Sequence, residues 1–456
     1  MRLPYSFHDP AGFLFVRNNV LYRQINRNYQ TQYCQLMQTG LYNRLSDKHL
    51  LISHREVDIP PEEIDNAYKI IKPLNIPFIS YPYEWSFSQL KHAALLTLEI
   101  QKISLEYDMI LKDAHPYNIQ FFKGKHIFID TLSFEHYEPG KPWKGYQRFC
   151  RHFLAPLALM QYTDIRLGQM LFTHNKGIPL DLAYQLLPKK TLMNLGILEN
   201  IWMNTKGAKK FPYTYLLGEN PRVGKNALLG LLDQLTSTIQ KMHWEPNGKG
   251  RTQYYQDPNY STDAFNHKKD IVAQLIELAN PKSLWDIAAK NGVFSRLAVD
   301  KKIPTIAFSV DPASVELMYR EMVQNKEEYL LPLLIDIKNP TPGVGWKNEE
   351  RCSLIARANA DTVLALDIIQ HLAISNRIPL ESIADFFSKI CCSLIIEFVP
   401  KSDPQVHRMI LNRKSTYPMY DEEHFIGEFL KYFTLVKIEP IISSKRTLYL
   451  FKKVIE

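Results

Sequence analysis

The sequence predicts an α/β chain whose C-terminal part is a doubly wound sheet and whose N-terminal part is an α+β fold of its own. Three observations predict it. The stretch Ser283–Ala298 opens with the apolar Leu284-Trp285, ends that run in Asp286 and passes through the small residues Ala288, Ala289 and Gly292. It then places Val293, Phe294, Leu297 and Ala298 at helical spacing. That is a strand, a tight turn and a helix, the opening unit of a doubly wound sheet. Further apolar runs follow at 305–311, 330–337, 360–367 and 393–399, alternating with segments long enough for helices. The region before residue 130 instead reads as short strands, one long helix and an acid-bearing loop.

Composition bounds the class. A chain of 456 residues can build two or three domains with ordinary cores. A hydrophobic share of 45% and a charged share of 22% are those of a soluble globular protein. No run of about 18 apolar residues is present, so no transmembrane helix is expected. The start, Met1–His8, lacks the apolar core of a signal peptide, which leads to a cytoplasmic expectation. Cys34, Cys150, Cys352, Cys391 and Cys392 show no metal-ligand spacing and read as reduced thiols. The net charge of +8 comes without a dense Lys/Arg block, so nucleic acid is not indicated as a partner.

In chain order, residues 13–25 predict a hairpin around Asn18-Asn19, residues 29–44 a helix and residues 50–57 a strand. The aromatic run 77–85 is broken by Pro82, and a long helix is predicted from about Ser88 to Glu106. It leads into Met109-Ile-Leu-Lys-Asp113-Ala-His-Pro-Tyr-Asn118 and then Lys125-His-Ile-Phe-Ile-Asp130. This stretch resembles the catalytic loop of kinase-like folds, in which an Asp, an Asn five residues later and a second Asp after a strand pair handle the hydroxyl proton and magnesium. The resemblance implies roles for Asp113, Asn118 and Asp130. The ATP-binding half departs from that pattern. No glycine-rich loop precedes Asn18-Asn19, the only candidate cations are Arg23 and Lys48, and residues 29–44 contain no Glu. Residues 1–240 are therefore expected to be a degenerate kinase-like accessory domain. Residues 145–235 read as mostly helical, and 241–264 as a turn-rich linker whose Tyr254 and Tyr255 either contact ligand or pack an interface.

The C-terminal stretch Asp286-Ile-Ala288-Ala-Lys290-Asn-Gly292 resembles motif I of class I S-adenosylmethionine (SAM)-dependent methyltransferases, D-x-G-x-G-x-G. Gly292 is kept, Ala288 is a mild replacement and Lys290 is a departure. The resemblance extends over residues 265–456 and implies a Rossmann-like seven-stranded sheet, with 433–438 and 446–452 as its terminal antiparallel pair. The phrases Asp336–Trp346 and Glu397–Pro404 are also similar to bacterial nodulation-type methyltransferases. The family resemblance implies SAM as cofactor, with Asp286, Ala288 and Gly292 at its methionine end. It further implies an acid at the ribose that aligns with Ser309, a departure, or with Asp311, 19 residues past Gly292, which takes the role, and Asp336 and Ile337 at the adenine. Asp367 and His371 leave the fourth strand and are the candidate catalytic pair, with His371 either a general base or a histidine packed in the first turn of a helix under the linker. Each of these acids can equally end a strand or cap a helix. Lys268 is a further candidate for ligand contact, and Glu397 is either a strand-end acid facing the substrate or a structural one. No Asn/Asp-Pro-Pro-Tyr follows strand four, so amino methylation of adenine or cytosine is disfavoured; the acceptor stays unidentified. A phosphotransferase using Asp113, Asn118 and Asp130, and a non-catalytic binding protein, are the alternative readings.

Overall fold

The computed structural model describes residues 2–3, 6–203, 223–246, 260–358, 360–411 and 419–454. Tyr254 and Tyr255 lie outside the described residues. The chain divides into two compact units, one of residues 1–245 with 344–351, the other of residues 246–343 with 352–456. No helix among the described residues is long and apolar enough to cross a membrane.

The first unit begins with a four-stranded antiparallel sheet of β1 (Gly12–Arg17), β2 (Val20–Asn26), β3 (His54–Val57) and β4 (Ala67–Pro73) in the order β1-β2-β4-β3. Asn18 and Asn19 both adopt positive φ at the β1–β2 turn, the backbone a two-residue hairpin of this twist requires. The predicted helix over 29–44 is two helices, α1 (Gln30–Gln38) and α2 (Leu41–Asp47), because Gly40 turns left-handed between them. The strand expected from residue 50 begins at His54; Leu51 instead makes an isolated bridge to Phe128. The long helix α3 (Phe87–Glu106) starts at a capping box, in which Ser86 Oγ accepts from Gln89 N while Gln89 Oε1 accepts from Ser86 N. Two short pairs follow it, β5 (Met109–Leu111) with β8 (Phe134–His136), and β6 (Ile119–Phe122) with β7 (Lys125–Phe128). They carry the loop 112–118 and Asp130.

The second unit is a mixed α/β fold around a seven-stranded sheet. Helix α4 (Thr262–Ala279), capped by Ser261, precedes β9 (Leu284–Ile287), α5 (Val293–Val299), β10 (Thr305–Ser309), α6 (Pro312–Asn325) and β11 (Leu330–Leu334). Then come β12 (Ala360–Ala365), α7 (Leu380–Ile390), β13 (Cys391–Phe398), α8 (Pro404–Leu411), α9 (Glu422–Leu430), β14 (Phe433–Pro440) and β15 (Thr447–Lys453). The spatial order is β11-β10-β9-β12-β13-β15-β14. The first five strands run parallel, while β15 is antiparallel to both β13 and β14. Every residue of β9 and β10 is buried, as expected for central strands covered on both faces. Ile271, Val272, Leu275 and Ile276 of α4 pack on Leu284, Leu364, Ile395 and Leu448, four different strands, and fix that helix over one face of the sheet. The order reverses at β9, which neighbours β10 on one side and β12 on the other. At such a switch point the loops leaving the carboxyl ends part and leave a crevice for a ligand.

Candidate functional site

The turn leaving β9 has an unusual backbone. Ala288, Lys290 and Gly292 have φ of 66°, 50° and 73°, three left-handed residues at alternate positions. Only Gly292 is a glycine, so the turn is held against an intrinsic penalty of about 1–2 kcal/mol at each of the other two. The chain is locked there by local bonds. Ala289 N donates to Phe308 O at 2.8 Å and Gly292 N to Ala289 O at 2.7 Å. A Cβ on Gly292 would stand 2.9 Å from Met318 Sδ, so the Met318 side chain of α6 would have to shift to admit one.

Asp286, at the end of β9, is buried, and Ser295 Oγ donates to its Oδ2 at 2.6 Å. Burial pushes its carboxyl up to about 7, with the Ser295 hydrogen bond and Lys268 acting in the opposite direction. Asp311 is exposed at the start of α6, where its carboxylate accepts from Ala313 N, Ser314 N and Ser314 Oγ. Capping therefore already uses both of its oxygens. Asp336 follows β11 and is partly exposed; its Oδ1 accepts from Lys338 N at 2.9 Å, and Ile337 is half-buried beside it.

The charged residues of the β12 and β13 ends form one connected cluster. Lys268 Nζ from α4 lies 2.7 Å from Glu397 Oε2 and 3.0 Å from Tyr260 Oη. Tyr260 Oη donates to Glu397 Oε1. Arg446, just before β15 and 1% exposed, donates from Nη1 to Asp367 Oδ1 and Tyr260 Oη, both at 3.0 Å. Its Nε reaches Asp403 Oδ2 at 2.8 Å and its Nη2 reaches Gln405 Oε1 at 2.9 Å. Asp367 N donates to Glu397 Oε2 at 2.8 Å, Gln370 Nε2 donates to Asp367 Oδ1 at 2.7 Å, and Lys290 Nζ donates to Asp367 Oδ2 at 2.8 Å. The cations Lys268, Lys290 and Arg446 thus meet the carboxylates of Asp367, Glu397 and Asp403, three against three. Such matching is what makes charges tolerable away from water.

Burial works against ionisation of Asp367, but Lys290, Arg446 and Lys268 outweigh it and hold the carboxyl down at about 2. Burial depresses His371, and Lys290, Lys338 and Arg446 add to that while Asp367 opposes it; the net pKa is below the ordinary imidazole value. His371 Nε2 lies 3.3 Å from Gln405 Nε2. The structure therefore brings Asp367, His371, Lys290, Lys268 and Glu397 together at one sheet edge. Tyr260, Asp403, Gln405 and Arg446 belong to the same cluster and were not singled out from sequence. The one available signal was Arg446 opening an otherwise apolar strand. Its partner Tyr260 is 186 positions away, which no local pattern reveals.

In the first unit the loop acids are already engaged. Arg23 of β2 stands 2.5 Å from Asp130 Oδ1, and Ser133 Oγ donates to the same carboxylate. Arg148 pairs with Asp113, whose other oxygen lies 3.5 Å from His115 Nε2. Asn118 Nδ2 donates to Ser133 Oγ at 3.2 Å. A magnesium ion on Asp130 would have to displace the Arg23 guanidinium, so these residues do not fit the metal that a kinase-like loop implies.

The fold and the turn define an α/β protein with a doubly wound sheet whose first turn passes through three left-handed residues. The chain is 30% identical over 461 residues to nodulation protein NoeA of Rhizobium meliloti (strain 1021), covering 99% of this chain and 96% of that protein. It belongs to the NoeA family. No family model matches the sequence. Among solved structures, the N-methyltransferase NodS from Bradyrhizobium japonicum WM9 with S-adenosyl-L-homocysteine (SAH) is 12% identical. That likeness covers 45% of this chain and 96% of that one, with a TM-score of 0.32. The bifunctional kinase-methyltransferase WbdD is 14% identical over 43% of this chain, with a TM-score of 0.29. The chain spans about two fifths of the WbdD structure, 40% of its length. At such scores the fold rests on the strand order itself.

Proposed function

We propose that the second unit is a class I SAM-dependent methyltransferase domain and that the first is a kinase-like accessory unit without phosphotransfer activity. The observation that carries the proposal is the turn after β9. Ala288, Lys290 and Gly292 stand at the three glycine positions of the D-x-G-x-G-x-G motif, and all three take the left-handed backbone that explains why glycines suit that motif. The strand order β11-β10-β9-β12-β13-β15-β14, with its one antiparallel insertion, supports the same reading.

In this reading the turn 286–292 takes the methionine end of the cofactor, with Asp286 bracing the turn through Ser295. Asp311 takes the ribose, and Asp336 with Ile337 takes the adenine. Bound SAM supplies an activated methyl group, so the chain mainly positions the acceptor and removes a proton where the acceptor needs it. His371 suits that second task, since its lowered pKa keeps the imidazole neutral at pH 7. Asp367 remains ionised and is too weak a base to share it; it holds charge beside the turn. For the first unit, the Arg23–Asp130 pair favours an accessory role over phosphotransfer. Titrating the whole chain with SAM, and separately with ATP and magnesium, tests both halves. Saturable SAM binding without magnesium-dependent ATP binding is expected; the opposite pattern would reverse the assignment.

A further inference from the structure

Asp367 stands immediately beyond the carboxyl end of β12, and β12 pairs with β9 through Ala365 and Ile287. Its carboxylate therefore borders the turn that follows β9. One oxygen, Oδ1, receives Arg446 and Gln370 from the interior, and the other, Oδ2, receives the Lys290 ammonium from the turn itself. The two lysine environments differ sharply. The Lys268 side chain is 2% exposed, whereas Lys290 is 51% exposed and can carry its ammonium out to water on its flexible stem. A ligand ammonium that donated to Oδ2 would have to take the place the Lys290 ammonium now holds, 2.8 Å from that oxygen.

We infer that the Asp367 carboxylate is a subsite for the α-ammonium group of an amino-acid-bearing nucleoside, and that Lys290 competes with that ligand for Oδ2. This rests on the cofactor reading above and adds to it a residue that sets affinity and specificity. The chemistry is the same for both competitors: a primary ammonium donating to one carboxylate oxygen. Lys290 replaces what the motif writes as glycine, so the competition is a property of this chain and not of the motif.

The experiment compares two probes by calorimetry, SAH and 5′-methylthioadenosine. SAH carries the ammonium and carboxylate on a neutral thioether, so no sulfonium charge enters; 5′-methylthioadenosine lacks the amino-acid part altogether. Lys290→Met is expected to raise SAH affinity about 3- to 10-fold, the range of one charge-assisted hydrogen bond released from competition, and to leave 5′-methylthioadenosine unchanged. Asp367→Asn is expected to lower SAH affinity by a similar factor, again without effect on 5′-methylthioadenosine. Because Lys290 is half exposed, its variant reports even if Asp367→Asn misfolds. Equal or weaker SAH binding by Lys290→Met, with both probes binding wild type, overturns the competition while leaving the cofactor reading intact. Failure of both probes to bind any variant overturns the cofactor reading, and this inference with it.

Discussion

Replacing Gly292 by alanine probes the turn most sharply. Gly292 has φ of 73°, a region that an L residue enters at about 1–2 kcal/mol. Its new Cβ would lie 2.9 Å from Met318 Sδ, 3.2 Å from Met318 Cγ and 3.3 Å from Arg296 Nη1. Met318 is fully buried, so it has little room to retreat, and overpacking of this kind costs about 1–3 kcal/mol. The two effects together predict a loss of about 2–5 kcal/mol, with the adaptable methionine side chain favouring the lower end. Urea unfolding followed by tryptophan fluorescence measures it, since Trp285 sits in β9 directly before the turn. Ala288→Gly is the counter-experiment. It relieves the same left-handed penalty and adds only the roughly 0.5–1 kcal/mol of glycine's unfolded-chain entropy, so it should be neutral to mildly stabilising. A Gly292→Ala protein within about 0.5 kcal/mol of wild type would mean that neither the left-handed backbone nor Met318 constrains this position, since that is the tolerance of an unconstrained surface site.

Further outcomes follow from the charged groups. Arg446→Met should destabilise by roughly 3–5 kcal/mol, because it strips Asp367 and Asp403 of a buried partner; a loss under about 1 kcal/mol in urea unfolding would show that the cluster does not depend on it. Asp286 has a folded-state pKa of about 7 against an ordinary 3.8, so its ionisation opposes folding: the penalty is absent below about pH 4, grows as pH rises, and is complete above pH 7. Asp286→Asn should remove that slope, worth at most roughly 4 kcal/mol, and an unchanged stability–pH profile would contradict it. If His371 is the base, kcat/KM should be flat across pH 7–8 and fall only below the ordinary imidazole range, since burial first and the nearby cations next hold its pKa down; an acid limb that persists in His371→Gln would assign the titration elsewhere. The first unit should show no micromolar, magnesium-dependent ATP binding; such binding, abolished by Asp130→Ala, would mean that Arg23 yields to the metal.

The parts of the fold legible in the sequence were those encoded locally. Buried parallel strands such as 284–287 and 305–309 show short apolar cores, Leu284-Trp285 and Ile306–Phe308, and the helices between them carry their own caps, as Asp311 with Pro312 does for α6. The break at Gly40 was harder, because a single glycine inside a periodic segment can be tolerated or can end a helix, and only the packing of α1 and α2 decides. The site divides in the same way. The turn residues 286–292 were visible as a motif, whereas the left-handed backbone of Ala288 and Lys290 runs against their local preference, in a turn tied to β10 by the bond from Ala289 N to Phe308 O. The direction of the Lys290 side chain was open from sequence, and its pairing with Asp367 joins positions 77 residues apart. Arg446 was least legible: one arginine before a terminal strand gathers Tyr260, Asp367, Asp403 and Gln405 from three segments of the chain.

Whether the carboxyl edge of the seven-stranded sheet holds SAM is decided by titrating wild type and Asp336→Ala with SAH. Asp336 is partly exposed after β11 and its loss disturbs no buried cluster, so the variant should fold as wild type does. Saturable one-to-one binding by wild type is expected, with an affinity about 5- to 150-fold lower in Asp336→Ala, the consequence of leaving one ligand donor unpaired. Absence of binding by wild type, or equal affinity in the two proteins, would contradict it.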